Sequence, residues 1–418
     1  MTDHVEITTL GNGLRVISER MPRLQTASLG VWVDVGTRYE PAEVNGVAHL
    51  LEHMAFKGTE RRSARAIAEE IERVGGSLNA YTSREHTAYY ARILAGDVEL
   101  AADILADILR HSTFDPAELE KERHVVLQEI GQVRDTPDDL VFDLLQEASY
   151  PDQPMGRAIL GPEEIVRGMS REALMGYMAR HYGPHRLVFA GAGAVEHARL
   201  VALAERLFGD LAAGEGATPE PARYAGGRRL EQRPDLEQVH LCVAVEGLPY
   251  HHPDHFALQV LSTALGGGMS SRLFQEAREN RGLCYSVFSF AAAYADTGQL
   301  GVYAGTDPED VPELLEVVAD ETRALIAEPE EDEIGRARAQ LKASLLMGLE
   351  SCSSVCEDLA RQILCFGRHV PTDEVVAKID AVDVAAVRRV GRDLLGRGGL
   401  TMAAVGPVGE LPEVDLAL

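Results

Sequence analysis

Gly46-Val47-Ala48-His49-Leu50-Leu51-Glu52-His53-Met54-Ala55-Phe56-Lys57-Gly58-Thr59 is the stretch on which the reading of this chain turns. No Gly or Pro interrupts Val47 to Lys57, which predicts a helix. Positions four apart on a helix lie one turn above each other, so His49 and His53 project from one face. Two imidazoles placed that way can share one Zn²⁺. Glu52, three residues after His49, lies beside them, where it can accept a proton from a metal-bound water. Zinc lowers the pKa of such a water from about 16 to roughly 7. Two His and a Glu also occur together on solvated helix faces. Here Val47, Leu50, Leu51, Met54 and Phe56 surround them, and burial without partners would be costly. A metal supplies the partner.

A catalytic zinc needs a third protein ligand and an open fourth position. The candidate stretch is Ala117-Glu118-Leu119-Glu120-Lys121-Glu122-Arg123-His124-Val125-Val126-Leu127-Gln128-Glu129-Ile130. Asp115-Pro116 opens it as an N-cap and first-turn pair, so a second helix is expected. Glu122 and Glu129 are seven apart and share a face of it.

The order His-x-x-Glu-His is the inverzincin signature. The chain resembles the pitrilysin-type inverzincins, most closely the short branch that includes the mitochondrial processing peptidase β subunit and its bacterial relatives. In that family the third ligand is a Glu far downstream of the second His, with another Glu seven residues before it. Seventy-five residues, 54 to 128, lie between His53 and Glu129, and Glu122 holds the earlier place. The resemblance implies one Zn²⁺ per chain on His49, His53 and Glu129, with Glu52 as general base and Glu122 as a supporting carboxylate. It runs from Leu10-Gly11-Asn12-Gly13-Leu14 to Ala404-Val405-Gly406.

At 418 residues the chain is too long for one ordinary core, and two domains are expected. The expected division is residues 1–212, a linker at 213–229, and residues 230–418. The linker carries Gly214-Glu215-Gly216-Ala217-Thr218-Pro219-Glu220-Pro221. Acids outnumber bases 66 to 40, for a net charge of −26. This argues against nucleic acid as a partner. It suits a basic peptide drawn in by an acidic field, and serves solubility equally well. The five Cys (242, 284, 352, 356 and 365) show no Cys-x-x-Cys spacing, which fits a reducing compartment. Met1-Thr2-Asp3-His4-Val5-Glu6 has neither a basic run nor an apolar core, so a cytoplasmic location is expected. No run reaches membrane-spanning length.

Along the chain, Val5 to Ser18 reads as a hairpin about Gly11-Asn12-Gly13. Ala27 to Val35 reads as a strand with Trp32 on the face opposite Leu29, Val31 and Val33. A helix from Ser63 to Val74 leads into paired strands, Leu78 to Thr82 and Thr87 to Leu94. In the family the first of these lies along the cleft and takes an extended peptide at its edge, so Asn79 and Ala80 are candidate substrate contacts. Helices are expected over 97–111, 170–181 and 195–208. Leu241, Val243 and Val245 alternate as Leu29, Val31 and Val33 do, 212 positions earlier, so the second half reads as a degenerate repeat. At that offset Leu261 and Leu265 replace His49 and His53. Helices are expected over 312–327, 330–365 and 383–395, then a strand over 400–405. His86, His111, His124 and the group His251, His252 and His255 read as packing or surface residues.

Arg281 and Tyr285 match a family pair that contacts the substrate main chain, the Tyr also assisting the oxyanion. The sequence therefore implies an α+β chain of two homologous domains facing across a cleft, each a mostly antiparallel sheet backed by helices. The implied activity is zinc-dependent cleavage of extended or presequence-like peptides near basic residues. A homodimer or a related partner subunit is expected. The rival is a non-catalytic, core-protein-like subunit, in which such zinc motifs are usually broken.

Overall fold

The computed structural model describes residues 5–214, 216 and 218–409. Residues 1–4 and 410–418, and positions 215 and 217 of the expected linker, lie outside the described residues.

Val5–Thr9 (β1) and Arg15–Arg20 (β2) form the expected antiparallel hairpin. There follow Thr26–Val33 (β3), Val47–Ala55 (α1), Ala64–Arg73 (α2), Ser77–Thr82 (β4), Thr87–Leu94 (β5), Val98–Arg110 (α3), Pro116–Arg134 (α4), Pro137–Ser149 (α5), Glu163–Gly168 (α6), Arg171–His181 (α7), Leu187–Gly193 (β6) and His197–Phe208 (α8). Then come Gly227–Gln232 (β7), Val239–Glu246 (β8), His255–Gly266 (α9), a π-helical stretch at Phe274–Asn280, Cys284–Ala293 (β9), Gly298–Thr306 (β10), Val311–Ala327 (α10), Glu331–Gly348 (α11), Cys352–Phe366 (α12), Thr372–Asp380 (α13), Val384–Gly396 (α14) and Thr401–Gly406 (β11). No helix among the described residues is long and apolar enough to cross a membrane.

Two compact units result, and each draws on both halves of the chain. The first comprises residues 1–131, 157–220 and 347–371; the second comprises 132–156, 221–346 and 372–418. The first unit's sheet has the order β1-β2-β6-β3-β5-β4, and the second unit's has β7-β11-β8-β10-β9. Only β2–β6 and β7–β11 run parallel; the other pairs are antiparallel. Strand for strand, β2-β6-β3-β5-β4 repeats as β7-β11-β8-β10-β9, which gives the repeat seen in the sequence a structural basis.

Alternation along β3 sends Leu29, Val31 and Val33 into one core with Val47, Leu50, Leu51 and Met54 of α1. Trp32 points the other way. It packs with Ile17, Val188 and Ala190 against Val355, Cys356, Leu359 and Ile363 of α12. In the second unit the equivalent cover is α5, whose Leu140, Val141 and Leu145 pack on Cys242, Ala244, Tyr303 and Val405. Each sheet is thus closed on one face by a helix from the other half of the sequence.

The single helix expected over 330–365 is two. Helix α11 stops at Gly348, and the Ser351 side chain caps α12 by accepting from Ser354 N. The break lets the second part leave α11's unit and cover the first unit's sheet. All five cysteines are free thiols.

Candidate metal centre

Helix α1 is positioned from behind by a carboxylate remote from its own turn. Glu40 is 1% exposed. Its Oε2 accepts from Gly46 N and Asn45 Nδ2, at 2.8 and 2.7 Å, and its Oε1 accepts from Ala48 N at 2.8 Å. Gly46 N and Ala48 N are backbone amides that the first helical turn leaves without internal partners. Burial pushes the Glu40 carboxyl up to about 7, against the pull of those hydrogen bonds. Gly46 adopts φ 96°, and a Cβ there would lie 2.6 Å from Leu160 O. Only glycine fits this entry into the helix.

His49 and His53 lie on one face of α1 as the spacing predicts, with ring centroids 4.7 Å apart. Glu129 of α4 reaches them both. Its Oε2 is 3.8 Å from His49 Nε2 and 3.6 Å from His53 Nε2. His49, His53 and Glu129 are the group among the described residues whose ligand atoms gather within 4.8 Å of one another. Ligand atoms on a tetrahedral Zn²⁺ stand about 3.4 Å apart, from bond lengths near 2.1 Å. The donor set, two imidazole nitrogens and one carboxylate oxygen, suits zinc, and its two carboxylate–imidazole separations stand within tenths of an ångström of that spacing. Burial, aided by neighbouring His53, depresses His49 to about 3. It is held as the neutral imidazole that a metal requires.

Glu52 projects beside this group. Thr82 Oγ1 donates to its Oε2 at 2.6 Å, leaving Oε1 without a partner in the site. Burial raises the Glu52 carboxyl, while the Thr82 hydrogen bond and His53 draw it back. A raised carboxyl is a stronger base, suited to accepting a proton near neutral pH. Glu122 is buried behind His53, with Oε2 3.0 Å from His53 Nδ1 and Oε1 2.8 Å from Lys57 Nζ.

Asn79 and Ala80 lie on β4, one of the two edge strands of the first sheet. Asn79 is exposed, and its Oδ1 accepts from Ala80 N at 2.8 Å. Arg281 and Tyr285 belong to the second unit, just before β9 and within it. Arg281 pairs with Glu276 at 2.8 Å and Glu313 at 3.1 Å. Tyr285 is 78% exposed, with the Arg278 guanidinium 4.8 Å from its ring centre. Leu261 and Leu265 are buried core residues of α9. His86 binds Tyr81 Oη, His111 binds Asp107, and His124 is exposed.

Three site residues escaped the sequence reading: Glu40, Lys57 and Thr82. Lys57 alone left a signal, four positions beyond His53 on the same face. The other two reach the site by tertiary contact.

Residues 15–163 match the family model described as Insulinase (Peptidase family M16), and residues 168–341 match the one described as Peptidase M16 inactive domain. The chain is 41% identical to the probable mitochondrial-processing peptidase subunit beta of Arabidopsis thaliana, over 98% of this chain and 80% of that protein. It is 38% identical to the uncharacterized zinc protease YmxG of Bacillus subtilis, over 97% of this chain and 98% of that one. A chain of complex III2 from Candida albicans shares the fold, with a TM-score of 0.86 at 22% identity, covering 99% of this chain and all of that one.

Proposed function

Because the chain belongs to the insulinase-type peptidase family M16, we propose that it is a zinc-dependent endopeptidase cleaving extended or presequence-like peptides near basic residues. The observation that carries this reading is the convergence of His49 Nε2, His53 Nε2 and Glu129 Oε2 beside Glu52. Those three atoms would hold one Zn²⁺ per chain, which would supply a Lewis acid for the scissile carbonyl and lower the pKa of water to about 7.

Glu52, with Oε2 held by Thr82, takes the proton of the attacking water on Oε1 and hands it to the leaving amine. Glu122 holds His53. The β4 edge, at Asn79 and Ala80, pairs with an extended substrate through main-chain hydrogen bonds. Arg281 and Tyr285 bind the substrate main chain, and the Tyr285 phenol donates to the developing oxyanion. The net charge of −26 favours basic substrates. The chain works as a homodimer or beside a related subunit, the latter motivated by the subunit name of the Arabidopsis relative. The free thiols support a reducing compartment, the cytoplasm.

The test is hydrolysis of a quenched, Arg-containing peptide by the purified chain, with and without chelator, beside Glu52→Gln. Turnover lost in both controls, with zinc retained in Glu52→Gln, is expected. Zinc without turnover in the wild type would point to a required partner. Neither zinc nor turnover would favour a structural subunit, as the likeness to a complex III2 chain motivates.

A further inference from the structure

His49, His53 and Lys57 stand at intervals of four. Helix α1 ends at Ala55, yet Phe56 N and Lys57 N still bond to His53 O and Met54 O, each at 3.2 Å. The turn therefore continues, and Lys57 lies one turn beyond His53 on the metal-facing stripe. Across from this stripe α4 runs the opposite way: Glu129 meets His49 and His53, while Glu122 meets His53 and Lys57.

We infer that Lys57 is a positioning residue for the metal centre, holding Glu122 in the one orientation that fixes the His53 ring. This rests on the zinc reading above. Each Glu122 oxygen has one partner in the site: His53 Nδ1 at 3.0 Å and Lys57 Nζ at 2.8 Å. The Glu122 side chain is only 6% exposed, so solvent cannot readily replace a lost partner. The terminal carboxylate torsion is intrinsically broad, and the ammonium is what narrows it. With the carboxylate fixed, Nδ1 of His53 keeps the proton and Nε2 faces Glu129. Both Glu122 oxygens are also engaged, by His53 Nδ1 and by Lys57 Nζ, on the side of the ring away from Nε2. His49 has no equivalent support, for its buried Nδ1 has no hydrogen-bond partner among the described residues. The Lys57-Glu122-His53 row therefore orients the centre.

Zinc would be titrated into the metal-free chain against a chromophoric chelator, comparing wild type, Lys57→Met and Lys57→Arg. Lys57→Met should bind zinc about 10–100-fold more weakly, the usual cost of losing a group that orients a ligand, with Lys57→Arg recovering most of it. In the metal-free chain labelled with ¹⁵N-histidine, His53 should show one tautomer, protonated at Nδ1, in wild type and Lys57→Arg. Lys57→Met should lose that single state. Lys57 is partly exposed, so circular dichroism should show an unchanged fold. Zinc affinity in Lys57→Met within about threefold of wild type, with the tautomer intact, would overturn the inference. A wild-type chain that binds no zinc would overturn it together with the metal reading, which separates the two failures.

Discussion

Glu52 has one oxygen committed and one available, because Thr82 Oγ1 donates to Oε2 at 2.6 Å. Thr82→Val should leave zinc content unchanged and lower kcat about tenfold, the rate equivalent of one ~1.4 kcal/mol hydrogen bond. Thr82→Ser should restore most of it, and a Val variant with wild-type kcat would remove Thr82 from the mechanism. Glu40 bears on stability instead. Burial raises its carboxyl from 4.5 to about 7, so the folded chain holds that proton more tightly than the unfolded one. The associated stability is complete below pH 4.5 or so and is lost as pH rises through about 7. With chelator present, the wild-type Tm should fall relative to Glu40→Gln between roughly pH 5 and pH 8. A gap that stays constant with pH would refute this. His49, Glu52 and His53 were legible because their relation is local: a helix fixes what lies three or four positions away, whereas Glu129 and Glu122 were tied to them by the family resemblance. Glu40 and Thr82 act through folded contacts that no spacing records.

Among the elements, the entry to α1 is tightly constrained. A Cβ on Gly46 would meet Leu160 O at 2.6 Å at a φ of 96°. A Cβ on Gly161 would meet Asn45 O at 2.3 Å. Gly46→Ala should cost about 2–3 kcal/mol in urea unfolding, combining a left-handed backbone with a clash. A loss below ~0.5 kcal/mol would show that the loop yields freely. Ser351→Ala should cost about 1 kcal/mol through the lost cap of α12, and no change in urea midpoint would mean the cap is redundant. Strands β1 and β3 and helices α1 to α4 were readable because alternation or helical spacing is strong there. The α11–α12 break was not. Both sides are helical in pattern, and Ser351 becomes a cap only because the next helix packs on another sheet. Strand β7 hid for a different reason: as an exposed edge it carries Arg228, Arg229 and Glu231 around a single Leu230, without apolar alternation.

For the whole molecule, the exchange of α5 and α12 makes each sheet depend on distant sequence. Residues 1–220 alone would leave Ile17, Trp32, Val188 and Ala190 without the helix that covers them. Such a fragment should show no sharp melt, and its lone Trp32, 2% exposed in the full chain, should emit at longer wavelength. A cooperative melt with unshifted emission would refute this. The sequence revealed the repeat, since strand alternation recurs at a fixed offset. It could not reveal the exchange, because an apolar helix face does not specify which sheet it covers. The same exchange sets a timetable for synthesis. The last strand of the first sheet ends at Gly193, but the helix that closes it ends at Phe366, 173 residues later (366 − 193). At ribosomal rates of about 5–20 residues per second, that face waits roughly 9–35 s for its cover. The nascent chain should therefore be a client of the chaperones that shelter apolar surface during translation.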